Sequence, residues 1–136
     1  MSKYLRGDAS LKVTKALPNG AAAVTSDFID LGHTVNGDHL AEVELLIEAP
    51  VQATGILGDA ATMKFDVLSS ASADGSSPTT IAKEVLVQTG AGGAGAAANS
   101  ARFRFPSNVA RYVGVKCTKS AAGDSSASVM TVSLKS

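Results

Sequence analysis

Three arginines, Arg102, Arg104 and Arg111, lie close together in the stretch Ser100 to Thr118, SARFRFPSNVARYVGVKCT. Guanidinium groups at that density suit two uses. They can protect a strand edge with charge, or they can contact an acidic protein surface through charge-assisted hydrogen bonds. A second candidate is Gly90-Ala91-Gly92-Gly93-Ala94-Gly95, which spells the dinucleotide-binding G-x-G-x-x-G. That chemistry requires a helix opening at the third glycine and an acidic residue further on for the ribose. Here the chain instead reaches Asn99-Ser100 and then Arg102-Phe103-Arg104-Phe105, with no acid at the required distance. The stretch therefore reads as a flexible connection, and with no Gly-Lys-Ser/Thr it is not a phosphate-binding P-loop.

The remaining candidates are weaker. His33 and His39, the two histidines, bracket Val35-Asn36-Gly37-Asp38. A cupin-type metal site wants three or four ligands, so two turn histidines read as solvated and no metal or other cofactor is expected. Glu42 and Glu44 are paired carboxylates on what reads as a solvated strand face. The serines sit in loops without a base, so no Ser/His/Asp arrangement is supported. The single cysteine, Cys117, falls on an apolar strand face and reads as a buried small hydrophobe. An enzyme is not expected.

The arginines need strands to position them. Phe103 and Phe105 share one face of a strand and Arg102 and Arg104 the other, the period of two of a pleated strand. Pro106-Ser107-Asn108 breaks that strand. Val113, Val115 and Cys117 then line one face of the next, with Tyr112, Gly114 and Lys116 opposite. The two are expected to pair as a hairpin and to form the core seam.

Upstream, Met1 to Ser10 reads as a flexible polar arm, with Tyr4 and Leu5 its apolar pair and Arg6 beside them. Leu11, Val13 and Leu17 predict a strand closed by Leu17-Pro18-Asn19-Gly20. Ile29 and Leu31 alternate with Phe28 and Asp30 in a second. Asn36-Gly37 is the strongest two-residue hairpin signal in the chain. Taken strictly, it pairs Ile29 with Glu44 and Leu31 with Glu42, a mismatch relieved by a bulge at Gly32 or by placing the strands in different sheets. Ala41, Val43, Leu45 and Ile47 form an inward face opposite Glu42, Glu44 and Glu48. Val51 to Ala61 reads as a loop or edge segment. Met63, Phe65 and Val67 define the next strand, Ile81, Val85 and Val87 another, and Met130, Val132 and Leu134 the last. Ser70 to Thr79, Thr89 to Ser100 and Lys119 to Ser125 are small-residue loops. The predicted core includes Val43, Leu45, Phe65, Phe103, Phe105, Val113 and Val115.

The 136 residues suffice for one domain, with an arm over 1–10 and a sandwich over 11–136. About eight strands joined by small-residue turns predict an all-β, single-domain antiparallel β-sandwich. Twelve basic and twelve acidic residues leave a formal net charge of +0. That lacks the basic field of a nucleic-acid binder. Met1 to Asp8 lacks the apolar core of a signal peptide, and no apolar run reaches membrane-spanning length. Synthesis in a cytoplasm is the expectation, with no nucleic acid, membrane or small-molecule substrate as partner.

Several stretches together resemble the capsid cement (decoration) proteins of tailed bacteriophages, of the jelly-roll type. They are Thr25 with Ile29-Asp30-Leu31-Gly32; Glu42-Val43-Glu44-Leu45; Asp66-Val67-Leu68-Ser69-Ser70-Ala71; Thr89 to Gly95; and Arg111-Tyr112-Val113. The likeness runs from Ala22 to the C-terminus and leaves Met1 to Lys15 uncovered. It implies an eight-stranded jelly roll in which most consecutive strands cross between two sheets. It also implies a non-enzymatic virion protein on the capsid exterior, clamping neighbouring major capsid protein subunits as a homo-oligomer (dimer or trimer). On that reading Tyr4, Leu5, Arg6, Arg102, Arg104 and Arg111 are the capsid-contact candidates. The alternative is a β-sandwich carbohydrate-binding or adhesin module of a virion or cell surface, which the lack of tryptophan and the presence of only 2 tyrosines disfavour.

Overall fold

The computed structural model describes residues 12–30, 44–53, 57–93, 95–105, 109–120 and 123–135. The proposed arm, His33, His39, the Asn36-Gly37 turn, Glu42, Val43 and Pro106 to Asn108 lie outside the described residues. The described strands are β1 (Lys12–Ala16), β2 (Ala23–Thr25), β3 (Ile29–Asp30), β4 (Glu44–Ala49), β5 (Thr62–Ser70), β6 (Thr79–Thr89), β7 (Asn99–Arg104), β8 (Tyr112–Lys119) and β9 (Val129–Lys135). They form two antiparallel sheets, one ordered β1-β9-β4-β7 and the other β2-β8-β5-β6 with β3 also on β8. Among the described strands, with β2 and β3 counted as one interrupted strand, β5–β6 is the one consecutive pair that shares a sheet. Every other connection crosses between sheets, which is jelly-roll connectivity.

This order corrects one expectation. β7 and β8 do not form a hairpin: β7 pairs with β4, and β8 pairs with β2, β3 and β5. The alternation of residues 102–105 and 112–117 correctly gives the inner faces, but a period of two names a face and not a partner. β3 and β4 likewise stand in different sheets, one of the two ways out of the Asn36-Gly37 mismatch.

The break between β2 and β3 has a local cause. Thr25 pairs with Lys116 and Ile29 with Val113, so one strand spends an extra residue against the other. Ser26, buried, bridges the gap. Its N–H donates to the Val115 carbonyl at 2.9 Å, and its Oγ accepts from the Val115 N–H at 3.0 Å. The detour turns Phe28 across the outer face of β8. A Cβ at Gly114 would lie 2.9 Å from the Phe28 ring and one at Gly75 2.5 Å, so both glycines make room for it.

The core lies between the sheets. Met63, Phe65, Val67, Val113, Val115 and Cys117 meet Leu45, Ile47, Met130, Val132 and Leu134, all 1% exposed or less. Phe105 is buried, and Phe103 is half-buried with its ring edge-on to Phe105 at 5.8 Å. β6 departs from the expected face. Phe65 pairs with Leu86 and Val67 with Ala82, leaving Lys83, Glu84 and Val85 opposite the single residue Asp66. Glu84 sits at φ 54°, and its N–H donates to Asp66 Oδ1 at 2.8 Å. Leu86 stands opposite Phe65 and Gln88 opposite Met63, so Leu86 and Gln88 are buried while Ile81, Val85 and Val87 are half-buried. Phe65→Ala is expected to lower unfolding free energy by about 3–5 kcal/mol in chemical denaturation, as a large-to-small change at the centre of the core.

Candidate functional site

The jelly roll gives the sandwich two unlike ends. At one, β4 begins at Glu44, β7 stops at Arg104, and β8, in the other sheet, starts at Tyr112 beside Asp30. All three candidate arginines occupy this end. Arg102 and Arg104 point outward from β7, and both reach Glu44, at 3.3 Å through Arg102 Nη1 and 3.2 Å through Arg104 Nη2. Arg111 grips the Asp30 carboxylate with Nε at 2.7 Å and Nη2 at 2.9 Å. Its guanidinium carbon stands 5.3 Å from the centre of the Tyr112 ring.

These pairs are solvent-facing and each contributes at most about 1 kcal/mol to stability. What they do is hold planar donors at set positions on the surface. Arg102 is 60% exposed and bonds through one nitrogen, so its other N–H groups still face outward. Such groups can donate to a carboxylate of a partner protein. Glu44 as the shared acid and Asp30 as the anchor were not identified from sequence, because each lies far along the chain from its arginine. Tyr4, Leu5 and Arg6 fall outside the described residues.

The opposite end carries the glycine-rich stretch, and here a second expectation is corrected. Its described residues do not run free: they are docked on Gln52, Gly58 and Asp59. Gln52 and Ala96 exchange backbone hydrogen bonds of 2.8 and 2.9 Å. Asp59 Oδ1 accepts from the Gly93 N–H at 2.9 Å. Two glycines are fixed by contact. A Cβ at Gly90 would stand 2.1 Å from the Gly58 carbonyl oxygen, and one at Gly95 would stand 1.9 Å from that of Gln52. Beneath them Gln88 donates through Nε2 to the carbonyls of Pro50 at 2.8 Å and Ala97 at 2.9 Å. The glycines thus serve close backbone packing, not a pyrophosphate.

Lys119 ends β8 at this end and is 2% exposed, not part of the predicted loop. Its Nζ donates to the Gly123 carbonyl at 2.6 Å and to Ser125 Oγ at 2.9 Å, tying down the connection to β9. Burial lowers its pKa. Cys117, two residues back on the same inward face, is fully buried; burial and then the Asp66 charge push its thiol up to about 12 from 9.0.

An open cleft of about 330 Å³ lies beside Phe28 between Thr25 to Asp27 and the Ala73 to Pro78 loop. Among the described residues no three His, Cys, Asp or Glu side chains gather as metal ligands would. Among the described residues that line the cleft, Asp27 and Asp74 are the titratable ones.

No protein-family model matches the chain, and no curated protein matches it. Among solved structures, a chain from the structure of infectious bursal disease virus, Gx strain, superposes with a TM-score of 0.28 at 17% sequence identity. The match covers 90% of this chain and 29% of the viral one, so the chain spans under a third of that relative's length.

Two measurements follow from this geometry. Gly90→Ala should destabilise by about 1–3 kcal/mol through overpacking against fixed backbone, whereas the cost at Gly92, where a Cβ meets nothing within 4 Å, should be confined to its positive φ. Paired denaturation curves compare them. For Cys117, the folded thiol keeps its proton between its ordinary pKa and about 12, while the unfolded one loses it. Its contribution is therefore complete below pH 9.0 and is lost as pH rises towards about 12. Stability measured across that window should fall less steeply in Cys117→Ala than in the parent.

Proposed function

We propose that this chain is a non-enzymatic structural protein of a tailed-phage virion, binding the exterior of the assembled capsid and cementing neighbouring major capsid protein subunits. The observation that supports this best is the convergence of Arg102 and Arg104 from one sheet and Arg111 from the other at a single end of the sandwich. Fold alone carries no function. A jelly roll whose three candidate arginines gather at one end does offer a rigid body with one adhesive tip. The sequence likeness to jelly-roll cement proteins supplies the partner class, a lattice of capsid subunits. Many copies on such a lattice reinforce it when each bridges two subunits, even if every contact is modest.

The test uses expanded heads lacking this protein, prepared from the phage whose genome encodes it, and reads co-sedimentation. The intact chain should pellet with the heads and raise their resistance to heat. An Arg102→Glu/Arg104→Glu variant should show reduced occupancy, and rising salt should weaken the intact protein's binding as exposed charges are screened. Deletion of residues 2–8 asks whether Tyr4, Leu5 and Arg6 add to the grip. Failure of the intact, folded chain to pellet with expanded heads would remove the cement reading.

A further inference from the structure

The register of the four-stranded sheet draws one row of outward positions across all its strands. Arg102 on β7 stands beside Leu46 on β4, Leu46 beside Ser133 on β9, and Ser133 beside Lys12 on β1. Leu46 is half-buried, Ser133 is recessed at 5%, and the two ends of the row are exposed cations. No acid lies in the row; Glu44 and Glu48 belong to the rows on either side of it. Lys12 makes no ion pair or side-chain hydrogen bond among the described residues. Neighbouring strands stand about 4.8 Å apart, so the two charged positions are roughly 14 Å apart with Leu46 and Ser133 as a low saddle between them. Arg102 is also the arginine best able to change partner. Glu44 holds Arg102 by one oxygen and Arg104 by the other, so a carboxylate arriving at Arg102 leaves Glu44 still neutralised by Arg104. Arg111 is held differently. Both its Nε and its Nη2 bond Asp30, and drawing it outward breaks two bonds at once.

We propose that the row Arg102, Leu46, Ser133 and Lys12 is the docking surface of this chain, and that its partner is a protein segment carrying two carboxylates on either side of an apolar side chain. The inference rests on the capsid reading above and narrows it. The segment belongs to the major capsid protein, Lys12 joins the contact, and Arg111 clamps β3 to the start of β8 instead of touching the partner. Charge complementarity chooses the occupant. Each end of the row takes one carboxylate, and their separation keeps a single acid from serving both. The centre takes an apolar group, because an ion set over Leu46 would lose water without gaining a partner. A chain of evenly spaced phosphates would place a charge there. The five-stranded sheet also carries exposed lysines, Lys83 and Lys116, but both stand opposite Asp66, one on each strand that flanks β5.

The test has two parts, both on the full chain and expanded heads, with circular dichroism confirming the fold of each variant. Carbodiimide joins lysine amines to carboxylates in contact with them. On decorated heads, mass spectrometry should find Lys12 coupled to Asp or Glu of the major capsid protein, and Lys83 and Lys116 uncoupled to it. In co-sedimentation, Lys12→Glu and Arg102→Glu should each raise the dissociation constant roughly tenfold or more and flatten its dependence on salt. Leu46→Ser should weaken binding and leave the salt dependence unchanged. Arg111→Gln should bind as the parent does. If the intact chain pellets and Lys12→Glu and Arg102→Glu pellet equally well, the row is overturned while the capsid reading stands. Coupling through Lys83 or Lys116 in place of Lys12 would move the contact to the other sheet and overturn it, as would weakened binding in a folded Arg111→Gln variant. Salt-sensitive binding of the parent to a short DNA duplex, abolished by Lys12→Glu, would make the row a phosphate site and overturn it too. An intact chain that does not pellet removes both readings.

Discussion

The inner faces of the two sheets meet through Met63, Phe65 and Val67 on one side and Leu45, Ile47, Val132 and Leu134 on the other. Each such side chain gains about 1.5–3 kcal/mol by leaving water. Neither sheet can bury its apolar face without the other, since each alone would leave an unpartnered surface. The surface features follow from that pairing. The outward positions of β7 are free for arginine because Phe103 turns inward. The outward positions of β4 and β9 are free for Glu48 and Val129 because Ile47 and Met130 do the same.

The two ends of the sandwich have been given opposite jobs by their residue types. The glycine end is closed by backbone against backbone, with Gly90 and Gly95 seated where no side chain fits and Gln88 binding two carbonyls from different loops. Lys119 completes it from beneath, a buried ammonium held by a carbonyl and a hydroxyl. The arginine end is held by carboxylate–guanidinium pairs that solvent can reach. One end is fixed by shape and the other by charge, and only the second can exchange partners at little cost.

Face assignment was legible in the sequence and partner assignment was not. Met63-Phe65-Val67 and Met130-Val132-Leu134 turn inward as their alternation requires, because the pleat gives no other option. The pairing of β7 with β4 was hidden because a crossing connection leaves no local mark. Ile81, Val85 and Val87 misled because the face of β6 is set by its register on β5, which places Leu86 against Phe65 and Gln88 against Met63, and a polar Gln88 on the inner face carries no apolar signal. The arginines could be placed on a strand face, but not their acids: Asp30 and Glu44 reach them only after the chain has folded back between sheets. The glycine stretch looked loose because composition reports what backbone could do, and the steric demand that fixes it comes from the backbone of Gln52, Leu57 and Gly58.

The pairing of β1 with β9, Lys12 against Ser133, joins the beginning of the described chain to its end. During synthesis β1 must therefore wait as an unmatched strand until β9 has left the ribosome, and β4 must wait for β7. Only β5 and β6 can close early as neighbours. Formation of the four-stranded sheet is then a late event governed by closure of long loops, slow by the standards of local contacts. The exposed edges of the incomplete sheet are the interval in which the chain is open to pairing with the wrong molecule.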